Sequence, residues 1–300
     1  MAKNRSGEIP TFREAAGMVL DLQAEGGDSG SKRRRVAESI LNLHVYPFIG
    51  DKKLDQILSP ELMACLDRIW FEKRVTAHKA FKQIRAVMRW GLAHEFIERD
   101  PTEYVRDGLG PNPARTVHMP SQHHSLIGED LEAIEGSKAY WATKAAVRFL
   151  VLTANRPGAV RGARWEEFDL ARAIWTIPAN RAKNREAFEV PLSLQALSVL
   201  HEAREHTGGV GLVFPSRRGL PISDSTMSKL FREHRVGSVP YGFRSTFRVW
   251  CAEVGVARQV AEPCLEHICD GVRPAQSPVE HRRQVLEAWG HYLFPIVPPR

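Results

Sequence analysis

Four short stretches of this sequence carry side chains able to grip an anion. In Thr153-Ala154-Asn155-Arg156-Pro157-Gly158 an apolar helical run ends and a second helix is predicted to begin, with Asn155 placed to cap it and Pro157 in its first turn. A helix start offers free backbone N–H groups to an anion, and an arginine there can clamp a phosphate with two parallel N–H groups. The ordinary alternative is an arginine paired with a nearby carboxylate. Lys183 stands in Arg181-Ala182-Lys183-Asn184-Arg185, at the tip of an expected hairpin, where a lysine by itself would simply be solvated. Arg244 follows Tyr241-Gly242-Phe243 at the start of another helix, and Leu265-Glu266-His267 closes a helical stretch.

Those side chains need elements to hold them. Gly128–Glu135 and Ala139–Asn155 read as helices, and Ala173–Ile177 and Ala187–Val190 as two short β-rich strands joined by the polar loop PANRAKNRE. Gly211–Pro215 is expected to add a third strand, and helices resume at Ser223–His234, Arg244–Val254 and Ser277–Trp289. Leu150, Leu152, Trp165, Ile174, Trp175, Ile177, Leu192, Leu200, Leu230 and Phe247 are the expected core of this half.

Upstream lies Asp107–Ser121, dense in Gly and Pro, which reads as an extended linker. Before it the pattern is helical. Thr11 and Glu14 have capping-box spacing, Ser59-Pro60-Glu61 starts another helix, and Gly26–Ser31 reads as a flexible turn. In Thr76–Ile97, Phe81, Ile84, Met88 and Leu92 form one apolar stripe, while Lys79, Lys82, Arg85 and Arg89 fall on roughly the opposite face. Lys32, Arg33, Arg34 and Arg35 make a second basic cluster. Charged stripes are usually solvated faces, yet four cations with no interleaved acid suit a phosphate backbone equally well. The layout is a tail (1–10), a helical domain (11–106), a linker (107–124) and a mixed domain (125–300). The class is mainly α with a small β-sheet (α+β).

Composition narrows the function. The 300 residues suffice for two domains, and the net charge of +7 with a pI near 9.4 is an excess suited to a polyanionic partner. No apolar run reaches spanning length, because the longest, Ala145–Ala154, contains Arg148, and MAKNRSGEIP lacks the apolar centre of a signal peptide. A cytoplasmic location and no membrane partner are the expectation. Cys65, Cys251, Cys264 and Cys269 do not form a disulfide framework. Cys264, His267 and Cys269 do not complete a four-ligand zinc set, so no metal is expected.

Several of these stretches, in order, resemble the tyrosine recombinases of the phage-integrase type, in particular the integrases of prophages and genomic islands. LTANRPGAVRGARWEEFDLARAIWTIPANRAKN is similar to that family's first box and hairpin, followed by VPLSLQAL; VPYGFRSTFRVW is similar to its second box and LEH to its third. TFREAA and YPFIGDKKLDQI are similar to parts of its helical core-binding domain. The likeness covers about residues 11–292, and no counterpart of the arm-binding domain that many island integrases carry ahead of it is expected.

The resemblance implies a two-domain clamp on double-stranded DNA. In it a tyrosine attacks the scissile phosphate to give a 3′-phosphotyrosyl bond, with no metal or nucleotide cofactor. Two arginines would stabilise the developing charge, a hairpin lysine would protonate the leaving oxygen, and further groups, commonly histidines, would hold the phosphate. By position these are Arg156 and Arg244, Lys183, and His267. It also implies homo-oligomers, or a synapse shared with an active integrase.

Three positions depart from that pattern. The acid usually three places after the first arginine is Ala159, the second-box histidine is Tyr241, and the nucleophile position in Val272-Arg273-Pro274-Ala275-Gln276 is Gln276. An amide has no acidic hydrogen that yields a nucleophile. Pro274 and Pro278 should also break the helix that would present a tyrosine. The departures point to a DNA-binding relative unable to cleave by the usual route. The alternative is an active recombinase that uses Tyr241, Ser277 or Tyr292 instead.

Overall fold

The computed structural model describes residues 8–24, 28–111, 119–269, 271 and 273–295. The chain divides into two compact units, 1–117 and 118–300, each with its own apolar core.

The first unit is helical among its described residues: α1 (Phe12–Ala24), α2 (Asp28–His44), α3 (Tyr46–Ile49), α4 (Ser59–Trp70), α5 (Arg74–Ala93) and α6 (Val105–Leu109). The Thr11/Glu14 box forms as spaced: the Glu14 N–H donates to Thr11 Oγ1 at 3.3 Å, and the Thr11 N–H donates to Glu14 Oε2 at 2.8 Å. Such a box is worth about 1 kcal/mol. Phe81, Ile84 and Met88 of α5 are buried, but Leu92 is 38% exposed. The stripe continues through Val87 to Gly91 instead, where a side chain would collide with Leu54. Residues 28–31, expected in a turn, belong to α2, and the rest of that expected turn lies outside the described residues. The expected linker likewise begins inside α6, and its centre, 112–118, lies outside the described residues.

The second unit contains α7 (Ile127–Glu135), α8 (Trp141–Thr153), α9 (Pro157–Arg161), β1 (Phe168–Asp169), β2 (Ile174–Ile177), β3 (Phe188–Pro191), α10 (Leu194–Thr207), α11 (Asp224–Glu233), α12 (Phe243–Glu253), α13 (Arg258–Cys264) and α14 (Val279–Leu293). The chain is thus mostly helical with one small antiparallel sheet, in the order β1-β2-β3, with Trp175 opposite both Phe168 and Val190. α8 is buried along nearly its whole length at the centre of the unit. The one charge inside the apolar run 145–154, Arg148, is ion-paired to Glu135 and Glu202. All ten residues expected in this core are buried.

Two elements differ from the sequence expectation. Residues 211–215 form isolated bridges, Arg164 with Leu212 and Pro215 with Pro221, and the third strand is Phe168–Asp169. Gly211 at φ +71 and Pro215 interrupt the ladder, although Val213 and Phe214 between them fill the core. α10 was not expected. Its start is capped by Ser193 Oγ, which accepts from the Ala196 N–H, and it stops at Gly208 in the left-handed region. No helix among the described residues is long and apolar enough to cross a membrane.

Candidate active site

The site gathers where α8 ends, α9 and α12 begin, and the segment after α13 passes the β2–β3 loop. Pro157 opens α9, and the residue before a proline is pushed out of the helical region. Arg156, at φ −75 and ψ 138, is therefore the cap residue in place of Asn155, and its side chain makes no cap bond. Its guanidinium is instead aimed at Glu266, with Nη1 donating to Oε2.

Glu266 is 3% exposed and sits at φ +53, which costs a non-glycine residue about 1 kcal/mol. That conformation turns its carboxylate to the hairpin, where Oε1 accepts from the Lys183 N–H at 2.7 Å and from the Asn184 N–H at 3.4 Å. One buried carboxylate thereby holds the first arginine and the turn that carries Lys183. The Lys183 side chain is exposed, and its charge acts on His267.

Arg244, the second residue of α12, is 3% exposed. Its Nη1 donates to the Ala154 carbonyl at 2.9 Å and its Nη2 to the Leu265 carbonyl. Ala154 caps α8 and Leu265 caps α13, so one guanidinium serves the negative ends of two helices. Burial, then repulsion from Arg156, draws the Arg244 guanidinium down to about 10, which leaves it charged at neutral pH. Burial lowers Arg156 as well.

His267 lies between Arg244 and Glu262. Arg244 Nη2 approaches its Nε2 at 3.1 Å, and its Nδ1 faces the buried Glu262 Oε2 at 2.6 Å. Arg244 has only protons to offer, so Nε2 accepts and Nδ1–H donates to the carboxylate. Burial pushes the imidazole below its ordinary value, and the Arg244 and Lys183 charges push the same way against the Glu262 hydrogen bond. The ring is therefore neutral at pH 7, with no Nε2 proton to give.

That balance has a pH signature. The folded pKa lies below the ordinary imidazole value of about 6.5, so the unfolded chain takes up a proton first as pH falls. The stabilisation is complete above that value and declines as pH drops through it. The melting temperature of the second unit should fall from pH 7 toward pH 5, and His267→Gln should flatten that slope. An unchanged slope in the variant would show that the imidazole is not the group responsible.

Tyr241 is 41% exposed, with its ring centroid 5.5 Å from Arg244 Cζ, and it favours the charged forms of both Arg156 and Arg244. Arg156, the Lys183 turn, Tyr241, Arg244 and His267 thus meet in one place. Ala159 is buried on α9, and only its carbonyl meets an arginine, accepting from Arg181 at 3.2 Å. Gln276 ends a single 3-10 turn, Pro274–Gln276, and is exposed, with its side-chain oxygen accepting from the Arg273 N–H at 3.0 Å. Ser277 follows in extended backbone, and Pro278 caps α14, as the two prolines dictate. An Arg273–Glu186 ion pair straps this turn to the hairpin loop. Tyr292 is engaged elsewhere, hydrogen-bonded to His124 and packed on Trp250 and Trp289. Cys264 donates to the Val260 carbonyl and is no partner of His267.

The sequence reading missed Glu262 and Glu266. The available signal was chemical: with Ala159 where an acid is usual, some other carboxylate had to face Arg156, and Glu266 stood beside His267. Three buried donors here lack a partner among the described residues: Asn155 Nδ2, Arg156 Nη2 and Arg244 Nε.

The first unit holds a separate basic surface. Arg33 and Arg34 of α2 and Lys79 and Lys82 of α5 line one groove of about 630 Å³ with Leu20 and Gln83. Arg35 and Arg85 are exposed outside that lining. Arg34 is already paired with Asp21 and Glu38, and Arg89 with Asp100 at 3.7 Å. The Lys32 side chain lies outside the described residues.

Residues 12–108 match the model of the phage integrase central domain, and residues 123–269 match that of the phage integrase family. The integrase of Enterobacteria phage P4 is 25% identical over 278 residues, covering 84% of this chain and 63% of its own length. Prophage integrase IntZ of Escherichia coli K12 is 27% identical over 264 residues, covering 86% and 64%. The chain therefore spans just under two thirds of these relatives. Among solved structures, a lambda integrase dimer bound to a COC′ core site superposes with a TM-score of 0.69 at 18% identity, covering 87% of this chain and 96% of that one. The Tn1549 transposon integrase in complex with circular intermediate DNA gives 0.66 at 12% identity, covering 87% and 92%. At such identities the likeness is one of fold.

Proposed function

This chain belongs to the phage integrase family of tyrosine recombinases, and from that premise we propose that it binds double-stranded DNA without cleaving it by the phosphotyrosine route. The observation that carries this reading is Gln276. By the spacing of the family pattern the nucleophile position falls on Gln276, an exposed amide that ends the single turn Pro274–Gln276 ahead of Pro278, and an amide there cannot supply the usual attack.

The rest of the site supports binding over catalysis. Arg244 is spent on two helix-end carbonyls, and His267 is a neutral acceptor. What remains is cationic: Arg156, Arg244 and Lys183 against the carboxylates of Glu262 and Glu266. Unpaired buried donors cost about 1–3 kcal/mol each, and a phosphodiester oxygen is the kind of acceptor that would satisfy them. The groove of the first unit supplies the non-specific part, with Lys79, Lys82 and Arg33 offered to the phosphates beside the ion-paired Arg34, and Lys32, Arg35, Arg85 and Arg89 complete the set of cations read from the sequence. In this reading residues 11–106 form the core-binding domain and 125–300 the catalytic-type domain. A DNA partner sets the compartment as the cytoplasm. The chain would assemble on DNA as a homo-oligomer or within a synapse containing an active integrase.

One observation favours a second reading. Of the three candidate replacement nucleophiles, Tyr241 is the one whose ring stands beside an arginine of the site, 5.5 Å from Arg244 Cζ, so any cleavage would use that phenol. A suicide substrate, a core-type duplex nicked beside the scissile phosphate, separates the two. Salt-dependent binding with no covalent adduct is the expected result. An adduct lost in Tyr241→Phe would establish the second reading, and binding that does not weaken with salt would overturn both.

A further inference from the structure

At the start of the second unit, away from the arginine pair, two adjacent histidines and a distant carboxylate converge. His123 and His124 precede α7, and Glu253 is the last residue of α12. His124 Nε2 lies 2.7 Å from Glu253 Oε2, and His123 Nε2 lies 3.1 Å from Glu253 Oε1. Both imidazoles thus present the same ring nitrogen to one carboxylate.

The opposite nitrogens are held as well. His124 Nδ1 is 2.7 Å from the Tyr292 hydroxyl at the end of α14, and His123 Nδ1 is 2.9 Å from Ser125 Oγ. The Ser125 N–H also approaches His123 Nδ1, at 3.4 Å, a contact that would give way once Nδ1 carries the proton. Metal-bound histidines characteristically donate their other N–H to an oxygen acceptor, which fixes the tautomer and raises ligand basicity. Here both second nitrogens have such an oxygen in place. Among the described residues these three side chains are the one group of its kind whose donor atoms fall within 4.8 Å of one another.

We infer that His123, His124 and Glu253 form a binding site for a divalent transition cation of the zinc type, with two imidazole nitrogens and one carboxylate oxygen as ligands and a fourth position open to water. Zinc–nitrogen and zinc–oxygen bonds of about 2.0–2.2 Å place tetrahedral donors a little over 3 Å apart. The two imidazole–carboxylate spacings, 3.1 and 2.7 Å, are at or slightly under that, the imidazole nitrogens lie within 4.8 Å of each other, and the half-exposed Glu253 carboxylate has room to rotate outward. His124, by contrast, is 9% exposed and fixed by its tyrosine. Two imidazoles with a carboxylate favour zinc, copper or nickel over the oxygen-seeking magnesium and calcium. A bound ion would pin the entry of the second unit to the ends of α12 and α14. Cysteine spacing at 264–269 gave no reason to expect a metal, and this site uses no cysteine at all.

The test uses the full chain, stripped with a chelator that is then removed, and Zn²⁺ or Co²⁺ alone as the probe. One equivalent should bind with Kd below about 10 µM. Co²⁺ should give the visible absorption of a low-coordinate nitrogen–oxygen site. It should also quench tryptophan fluorescence, since Trp250 and Trp289 pack on Tyr292 at 5.9 and 5.8 Å. Glu253→Gln and His124→Ala should each weaken binding at least about 100-fold. Tyr292→Phe, which removes only the outer hydrogen bond, should weaken it about 10-fold. His201→Ala, on the exposed α10 pair with Glu205, should change nothing. Glu253→Gln alters an exposed group, and its metal-free melting curve and circular dichroism establish that the fold is intact. No stoichiometric binding, or binding that survives both ligand substitutions, would overturn the site.

Discussion

Arg244→Ala is expected to lower the melting temperature of the second unit by roughly 10 °C, an effect of about 3–5 kcal/mol. The cost does not come from losing a surface charge. The guanidinium donates to the buried Ala154 and Leu265 carbonyls and to the part-buried His267 Nε2. Removing the donor strands two helix-end carbonyls and leaves a cavity the size of the lost side chain. Arg244→Lys should recover less than half of the loss, because a point charge cannot reach two carbonyls and an imidazole in the fixed geometry of a guanidinium fork. Differential scanning calorimetry on the full chain, compared between wild type and variant, reads the effect. A shift under about 2 °C would mean that Arg244 is not the bolt the hydrogen bonds describe.

Glu266→Ala should be nearly as damaging, at about 3–5 kcal/mol, because it leaves the half-buried Arg156 guanidinium without its carboxylate and two backbone N–H groups without an acceptor. Alanine gains nothing at φ +53, so no strain relief offsets the loss. Glu266→Gln keeps the shape and one oxygen and should cost about half as much. The local readout is hydrogen exchange: the Lys183 and Asn184 amides should lose protection in Glu266→Ala before the rest of the second unit does. If those amides stay protected, the hairpin turn is held by something other than this carboxylate. The Arg273–Glu186 strap is the next candidate.

Much of the site was written locally. Pro157 forces Arg156 into extended backbone and starts α9 behind it, so an arginine at a helix start follows from two adjacent letters. Pro274 and Pro278 exclude a regular helix between them, which is why Gln276 lies on a single 3-10 turn. Two short β-rich runs, Ala173–Ile177 and Ala187–Val190, about a polar loop are enough for the hairpin. Helix α10 escaped the sequence reading although Ser193 before it and Gly208 after it are end signals, because its segment shows weak apolar periodicity.

Glu266 and Glu262 were not legible in that way. Nothing in the letters says that Glu266 adopts a left-handed conformation, or that this turns its carboxylate toward residues about 80 and 110 positions earlier in the chain. The same holds for the convergence of His123, His124, Glu253 and Tyr292, drawn from three segments separated by up to 168 positions. The stripe of α5 shows the boundary in miniature: its period was right, but whether it ended on Leu92 or Gly91 depended on Leu54 arriving from another element.

The helical class, the hairpin, the box motifs and Gln276 where a tyrosine is usual were thus legible in the letters alone, because each depends on residues within a turn or two of one another. It took the folded arrangement to show that Arg244 bonds to two helix ends, that His267 is a neutral acceptor, and that buried carboxylates balance the arginines. Those outcomes rest on which distant groups come to share a low-dielectric interior, and no local pattern encodes that.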